Sequence, residues 1–302
     1  MPHAAGRSDI REARRGVVPY LLTAPVVVAL LAFVVLPAAF AVGLAFVRWD
    51  LLRGTVEFVG IENFATEIAG GELGRGVLVT VGYAVLTVPA SLAGGLLVAL
   101  GIDALSHGRA FWRAVYFLPV AATLVAMSIV WRWMFRPDTG VVDATVGRLT
   151  GLRDWLNSLE LALPAVAAVG TWQQVGFVAV VYLAALTAVP RDVLEAARLD
   201  GAGALSRFRH VTWPALGPAT VFAVVLTSTA ALRVYDTIRT MTDGGPAGST
   251  ESLAFLLWRR GVAYFDVGAG ATLTVALLVL AGLVTLLQVR VLGRGLERKG
   301  TR

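Results

Sequence analysis

Apolar residues run through this chain in long unbroken blocks, not in the short alternations of a soluble strand or the narrow stripe of a soluble helix. Six blocks contain no Asp, Glu, Lys or Arg: Val17–Val47, Gly76–Ile102, Ala114–Trp131, Leu161–Pro190, Val211–Leu232 and Val267–Val289. They are 18 to 31 residues long, and about 20 mostly apolar residues carry an α-helix across a bilayer. The pattern predicts an all-α, polytopic membrane protein with six transmembrane helices. The third block is the shortest. Arg132 beyond its end can snorkel toward water, with Trp131 and Trp133 anchoring the interface.

Composition narrows the class. Of 302 residues, 57% are hydrophobic and 15% charged, and the mean hydropathy is +0.74. So few charges do not build a soluble surface around six buried helices, which argues against a large soluble core. The first block starts too far in and is too long for a cleaved signal peptide, and no A-x-A-like site follows it. Six crossings put both termini on one side. That side holds 15 of the Lys and Arg residues and the other side 11, which predicts cytoplasmic termini. The expected organisation is a cytoplasmic tail over 1–16, a six-span domain over 17–293 and a cytoplasmic tail over 294–302.

Charge and motif content remove several function classes. The net charge of +6 is spread without a basic stripe, so nucleic acid is not an expected partner. There is no cysteine, and His3, His107 and His210 stand apart in sequence, so no metal site is expected. No G-x-S-x-G elbow and no phosphate-binding G-x-x-x-x-G-K-[ST] loop occurs, and the only lysine is Lys299. No catalytic residue is expected. If ATP powers this protein, another chain hydrolyses it. The chain of intramembrane carboxylates of a proton-coupled pump is also missing.

One polar stretch interrupts the apolar blocks on the cytoplasmic side: LEAARLDGAGALSRFRHVTWPALGP, Leu194 to Pro218. Pro190 suits the first turn of a helix and Asp192 its acidic end. Leu194, Ala197 and Arg198 share a face, and Asp200-Gly201 supplies a stop with Gly201 as left-handed cap. A second short helix is expected from Ala204 to Thr212, with Pro214 redirecting the chain into the fifth span. The stretch is long for a plain connection, and Ala196-Ala197 offers a bare surface for close approach.

Glu195-Ala196-Ala197, Asp200-Gly201-Ala202, Phe208, Val211, Pro214 and Pro218 resemble the EAA loop of binding-protein-dependent ABC-transporter permeases. Further stretches resemble the maltose-type sugar branch of that family: FVGIENF (Phe58 to Phe64), FWRAVYFLPV (Phe111 to Val120), WRWMF (Trp131 to Phe135) and MTDGGP (Met241 to Pro246) with Thr250. Val79 stands where the family usually has Asn, before Thr80. The resemblance implies a type I ABC importer permease fold with a coupling helix, about 190–216, docking on a nucleotide-binding subunit. Glu195 would make the charged contact, Ala196 and Ala197 would allow close packing, and Asp200-Gly201 would set the bend. It implies a second permease subunit, two ATP-binding subunits that carry ATP and Mg, an extracytoplasmic solute-binding protein, and no cofactor in this chain.

Polar residues deep in spans usually face protein or a water-filled path. Trp172, Gln173, Gln174 and Phe177 in the fourth span suit a sugar, with aromatic faces beside amides. Thr227, Ser228, Arg233 and Asp236 follow in and beyond the fifth. Other roles stay open: Ser and Thr bonding back to their own helix, Arg233 pairing with Asp236, Gly244-Gly245-Pro246 as a plain turn. The expected solute is a carbohydrate, with glycerol phosphate or a polyol as the alternative. An ion-coupled secondary transporter would need an ion site or an inverted repeat, and neither is visible.

Overall fold

A computed structural model describes residues 18–50 and 54–300, so the expected tail over 1–16 lies outside the described residues. Apolar blocks become helices because a backbone that cannot bond to water in the bilayer must satisfy itself internally. The first block gives α1 (Val18–Leu30) and α2 (Leu36–Leu44), joined through a π-helical turn at Leu31–Val35. The chain then forms a hairpin, β1 (Val47–Asp50) antiparallel to β2 (Thr55–Phe58), with Val47 opposite Phe58. This hairpin departs from the all-helical expectation; its four-residue strands are too short to register as a pattern among longer blocks.

Next come α3 (Glu62–Ala69), α4 (Glu72–Ala104), α5 (Arg109–Ala121), α6 (Leu124–Met134) and α7 (Ala162–Thr187). The polar hairpin supplies α8 (Arg191–Leu199) and α9 (Ala204–Ala215), and the chain continues into α10 (Gly217–Leu232). It closes with α11 (Asp236–Met241), α12 (Leu253–Trp258) and α13 (Val267–Gly300). Thus α13 stays helical beyond the boundary expected at 293.

Among the described residues, four stretches are long and apolar enough to cross a membrane: Tyr20–Leu44, α4, α7 and Val267–Val291. The third and fifth predicted spans are each broken, bending by 98° between α5 and α6 and by 64° between α9 and α10. The first break is an extended pair, Ala122 and Thr123, which interrupts the i→i−4 ladder. The second falls at Leu216, ahead of Pro218 in the first turn of α10. Proline lacks the N–H that would continue α9 and is preorganised to start a helix. The redirecting residue is therefore Pro218, whereas Pro214 sits inside α9.

The core forms where α4 and α7 lie side by side. Tyr83 meets Gly170 near one end, and Ile102 clusters with Tyr182 and Leu183 near the other. The two helices therefore run parallel. Lipid tails are as apolar as leucine, so this contact gains from close packing more than from hydrophobic transfer. Leu216 at the second break is fully buried in the same cluster as Ile102 and Tyr182. The window of the first apolar helix, by contrast, buries nothing within this chain.

At the end away from α8, polar groups do the joining. Asn63 Nδ2 donates to the Ala45 and Val47 carbonyls at 2.9 and 3.0 Å, fixing the exit of the first helix. Buried Thr80 donates to the Gly76 carbonyl at 2.7 Å and accepts from Leu253 N at 2.9 Å. The threonine retained beside Val79 is thus a cross-link between α4 and α12. Glu251, only 6% exposed, bonds Arg259, and Arg75 Nε lies 3.7 Å from its second oxygen. Glu72 lies 3.7 Å from Arg259 and 2.9 Å from Arg260. Glu67 reaches Arg260 at 3.9 Å. Burial pushes the Glu67 carboxyl above its ordinary value of 4.5, against the pull of Arg260.

Candidate functional site

Two places collect the residues expected to act. The first is the hairpin of α8 and α9. Pro190 stands one position before α8, in an extended conformation, instead of within its first turn. Asp192 lies in the first turn and Arg198 in the last, each on the side the helix dipole favours. Gly201 takes φ +77°. Its N–H donates to the Arg198 carbonyl and Ala202 N to the Ala197 carbonyl, both at 3.0 Å. That pair of bonds completes a Schellman cap. Arg207 Nη1 then donates to the Ala202 carbonyl at 2.7 Å, tying the turn to α9; this brace had no sequence signal.

The cap leaves Glu195, Ala196, Asp200 and Gly201 exposed and Ala197 half-buried. Leu199 is 90% exposed, and Leu205 projects similarly. Among the described residues, Glu195 has no ion-pair or hydrogen-bond partner. An apolar tip beside unpaired charge is a surface without its complement.

The second place is a narrow cleft of about 80 Å³ where α4, α7 and the segment after α10 meet. It brings together Gln173, Gln174, Arg233 and Asp236, and adds Tyr83 and Thr87 from α4. Tyr83 reaches it because residue 170 is glycine; a Cβ there would stand 1.9 Å from the Tyr83 hydroxyl. Arg233 and Asp236 form no ion pair with each other or with any other described residue. The guanidinium and the carboxylate both remain free to meet a polar solute. The amides and the phenol can each donate and accept. Tyr83 and Thr87 escaped the sequence reading because they sit in an apolar block as ordinary span residues.

The other expected path residues lie elsewhere. Trp172 packs edge-on against Trp131, centroids 5.4 Å apart, and lines a separate apolar cleft with Tyr116 and Pro119. Trp131 also packs against Phe135, centroids 5.8 Å apart. Phe177 packs against the core cluster of Val178 and Tyr182. Buried Thr227 donates to the Ala223 carbonyl at 2.7 Å, and Ser228 is buried without lining the cleft. MTDGGP forms a turn, with Thr250 Oγ1 donating to the Gly245 carbonyl at 2.8 Å.

Comparisons with known proteins identify the family. Residues 68–298 match the family described as binding-protein-dependent transport system inner membrane component. The chain is 31% identical over 277 residues to the sn-glycerol-3-phosphate transport system permease protein UgpA of Agrobacterium fabrum, covering 91% of this chain and 94% of that one. It is 32% identical over 275 residues to the sulfoquinovosyl glycerol transport system permease protein SmoG of the same organism, covering 90% and 89%. The trehalose/maltose transport system permease protein MalF of Thermococcus litoralis is 30% identical over 285 residues, covering 93% and 94%. In fold, the chain is similar to a crystal structure of a bacterial ABC transporter that imports the acidic polysaccharide alginate. That likeness has a TM-score of 0.74 at 21% identity and covers 93% of this chain and 98% of the other. The family match over most of the chain, with the capped hairpin and the apolar helices, makes this protein a multi-pass membrane component of the binding-protein-dependent transport family, of the sugar-type ABC permease kind.

Proposed function

We propose that this chain is one permease subunit of an ATP-driven, binding-protein-dependent importer of a carbohydrate. The single observation that carries the coupling role is the capped, exposed α8, whose Glu195 has no partner among the described residues. ATP and Mg belong to two partner nucleotide-binding subunits, a second permease subunit completes the path, and an extracytoplasmic binding protein delivers the solute. In this reading the six-span domain over 17–293 has both tails in the cytoplasm, in the cytoplasmic membrane. The parallel course of α4 and α7 supports it, since the segment between them must return across the bilayer once. The bent pair α5 and α6 provides that return.

The mechanism follows from how α8 is attached. Closure of the ATPase subunits moves α8; Arg207 and the Schellman cap transmit the movement to α9. The buried joint at Leu216 passes it to α10. Tyr182, whose hydroxyl donates to Thr220 Oγ1 at 3.2 Å, makes α7 and α10 move as a pair. About 24 Å further along the 16-residue α10, at 1.5 Å per residue, lies Arg233 in the polar cleft. Gln173 and Gln174 ride on α7, so both walls of the cleft answer to the same lever.

Carbohydrate transport is supported by the relatives' names, which include trehalose/maltose and sulfoquinovosyl glycerol. Glycerol phosphate is a second reading, favoured by the free guanidinium of Arg233 and by the sn-glycerol-3-phosphate relative. The test is ATP-dependent uptake by the reconstituted importer carrying Glu195→Lys. The variant is expected to reach the membrane normally and to lose transport at least tenfold. Undiminished uptake would sink the coupling assignment.

A further inference from the structure

A second polar cleft, of about 450 Å³, opens beside the C-terminal end of α6. Its walls carry Arg132, Trp133 and Arg136, and, from a separate turn, Asp154 and Asn157, with Met241 of α11 at its edge. Neither arginine has a carboxylate within ion-pairing distance among the described residues, although Asp154 shares the cleft. Both arginines are nevertheless held. Arg132 Nη1 donates to the Thr240 carbonyl at 3.3 Å, and the Arg136 guanidinium stacks over Trp133, 5.0 Å from the ring centroid. A guanidinium fixed by stacking keeps its N–H fork free for a planar oxyanion. Elsewhere in the lining, Asn157 Nδ2 donates to Asp154 Oδ1 at 2.5 Å. That carboxylate and amide keep further acceptor and donor capacity, the pairing that sugar hydroxyls use.

We propose that this cleft is a second solute site, for a sugar acid bound with its acidic group between Arg132 and Arg136 and its hydroxyls toward Asp154 and Asn157. The polarity of the walls selects that class. A neutral sugar would leave two guanidiniums unmatched, and a bare anion would leave the Asp154–Asn157 wall unused and face its negative charge. The site's place on the outer face rests on the importer reading. Its relation to the transport cleft does not, because Leu124 at the other end of α6 lines that cleft. Arg132 stands about 12 Å along the helix from Leu124. α11 likewise runs from Asp236 in the transport cleft to Met241 in this one. A solute held here waits one short helix pair from the path.

The test is nucleotide-free binding to the complete importer complex in nanodiscs, read by saturation-transfer NMR with D-glucuronate, D-glucose and inorganic sulfate. Glucuronate is expected to bind at least tenfold more tightly than glucose or sulfate. Arg132→Gln with Arg136→Gln should weaken it at least tenfold at an unchanged thermal midpoint, with partial rescue by the double Lys variant. Gln173→Ala, in the transport cleft, should leave it unchanged. No glucuronate binding, equal binding of glucose or sulfate, or an unaffected double Gln variant would each overturn the site. Loss of the signal in Gln173→Ala instead would assign it to the transport cleft and overturn the proposal too. Failure of the importer reading would appear separately, as ATP-driven uptake that Glu195→Lys does not change.

Discussion

Charged residues are used in opposite ways at the two ends of this molecule. Around Glu251, carboxylates and guanidiniums from α3, α4 and the segments on either side of α12 meet one another, with Glu67 and Glu251 buried and Glu72, Arg259 and Arg260 partly so. On α8 and its cap, Glu195 and Asp200 face outward, and Glu195 has no partner among the described residues. The first arrangement answers its own charges and holds the chain together. The second leaves charge unanswered on a capped helix, as the proposed docking of another chain would require. Buried charges must be paired because an unpaired one costs several kcal/mol, whereas an exposed one costs little until a partner arrives.

The largest test of that contrast is Glu251→Ala. It strands Arg259 beside an incomplete partner set and should destabilise the protein by about 3–5 kcal/mol, seen as loss of folded protein in the membrane fraction. Glu195→Lys should do the reverse, abolishing coupled uptake while the thermal midpoint stays within error of wild type. If both variants lost stability alike, the two regions would not differ as described. Gly201→Val sits between them. A β-branched side chain at φ +77° should cost about 1–3 kcal/mol, read as local hydrogen exchange in α8 and reduced coupling with the bundle intact.

The smallest effect concerns Glu67, which is buried and whose pKa is raised by that burial. A carboxyl raised in the folded state favours folding while protonated and loses that advantage as pH climbs through the raised value. Glu67→Gln mimics the protonated form. It should therefore raise the thermal midpoint by a few degrees at neutral pH. The gain should vanish below about pH 4.5, the ordinary carboxyl value. A midpoint that falls at neutral pH would mean that the Arg260 contact outweighs the burial.

Much of this was legible in the residues themselves. Long apolar blocks can only be helices in a bilayer, so four spans follow directly from the sequence, and Asp200-Gly201 announced the cap that the backbone adopts. The breaks in the third and fifth blocks were not legible. Ala122-Thr123 and Leu216 are ordinary residues whose conformations depend on what packs beside them. The path residues divided on the same ground. Gln173, Gln174, Arg233 and Asp236 converge because α7 and the segment after α10 meet, while Trp172 and Phe177 on the same helix pack elsewhere.

The sequence alone determined a membrane chain with a capped polar hairpin, because solvation of the backbone and the φ freedom of glycine are local properties. Only the tertiary structure decided which polar groups meet. It drew Tyr83 into the cleft beside Gly170, left Arg233 without an ion pair among the described residues and gathered the charges around Glu251. Those outcomes depend on contacts between residues far apart in the chain, whose geometry is set by helix packing and not by any neighbour in sequence.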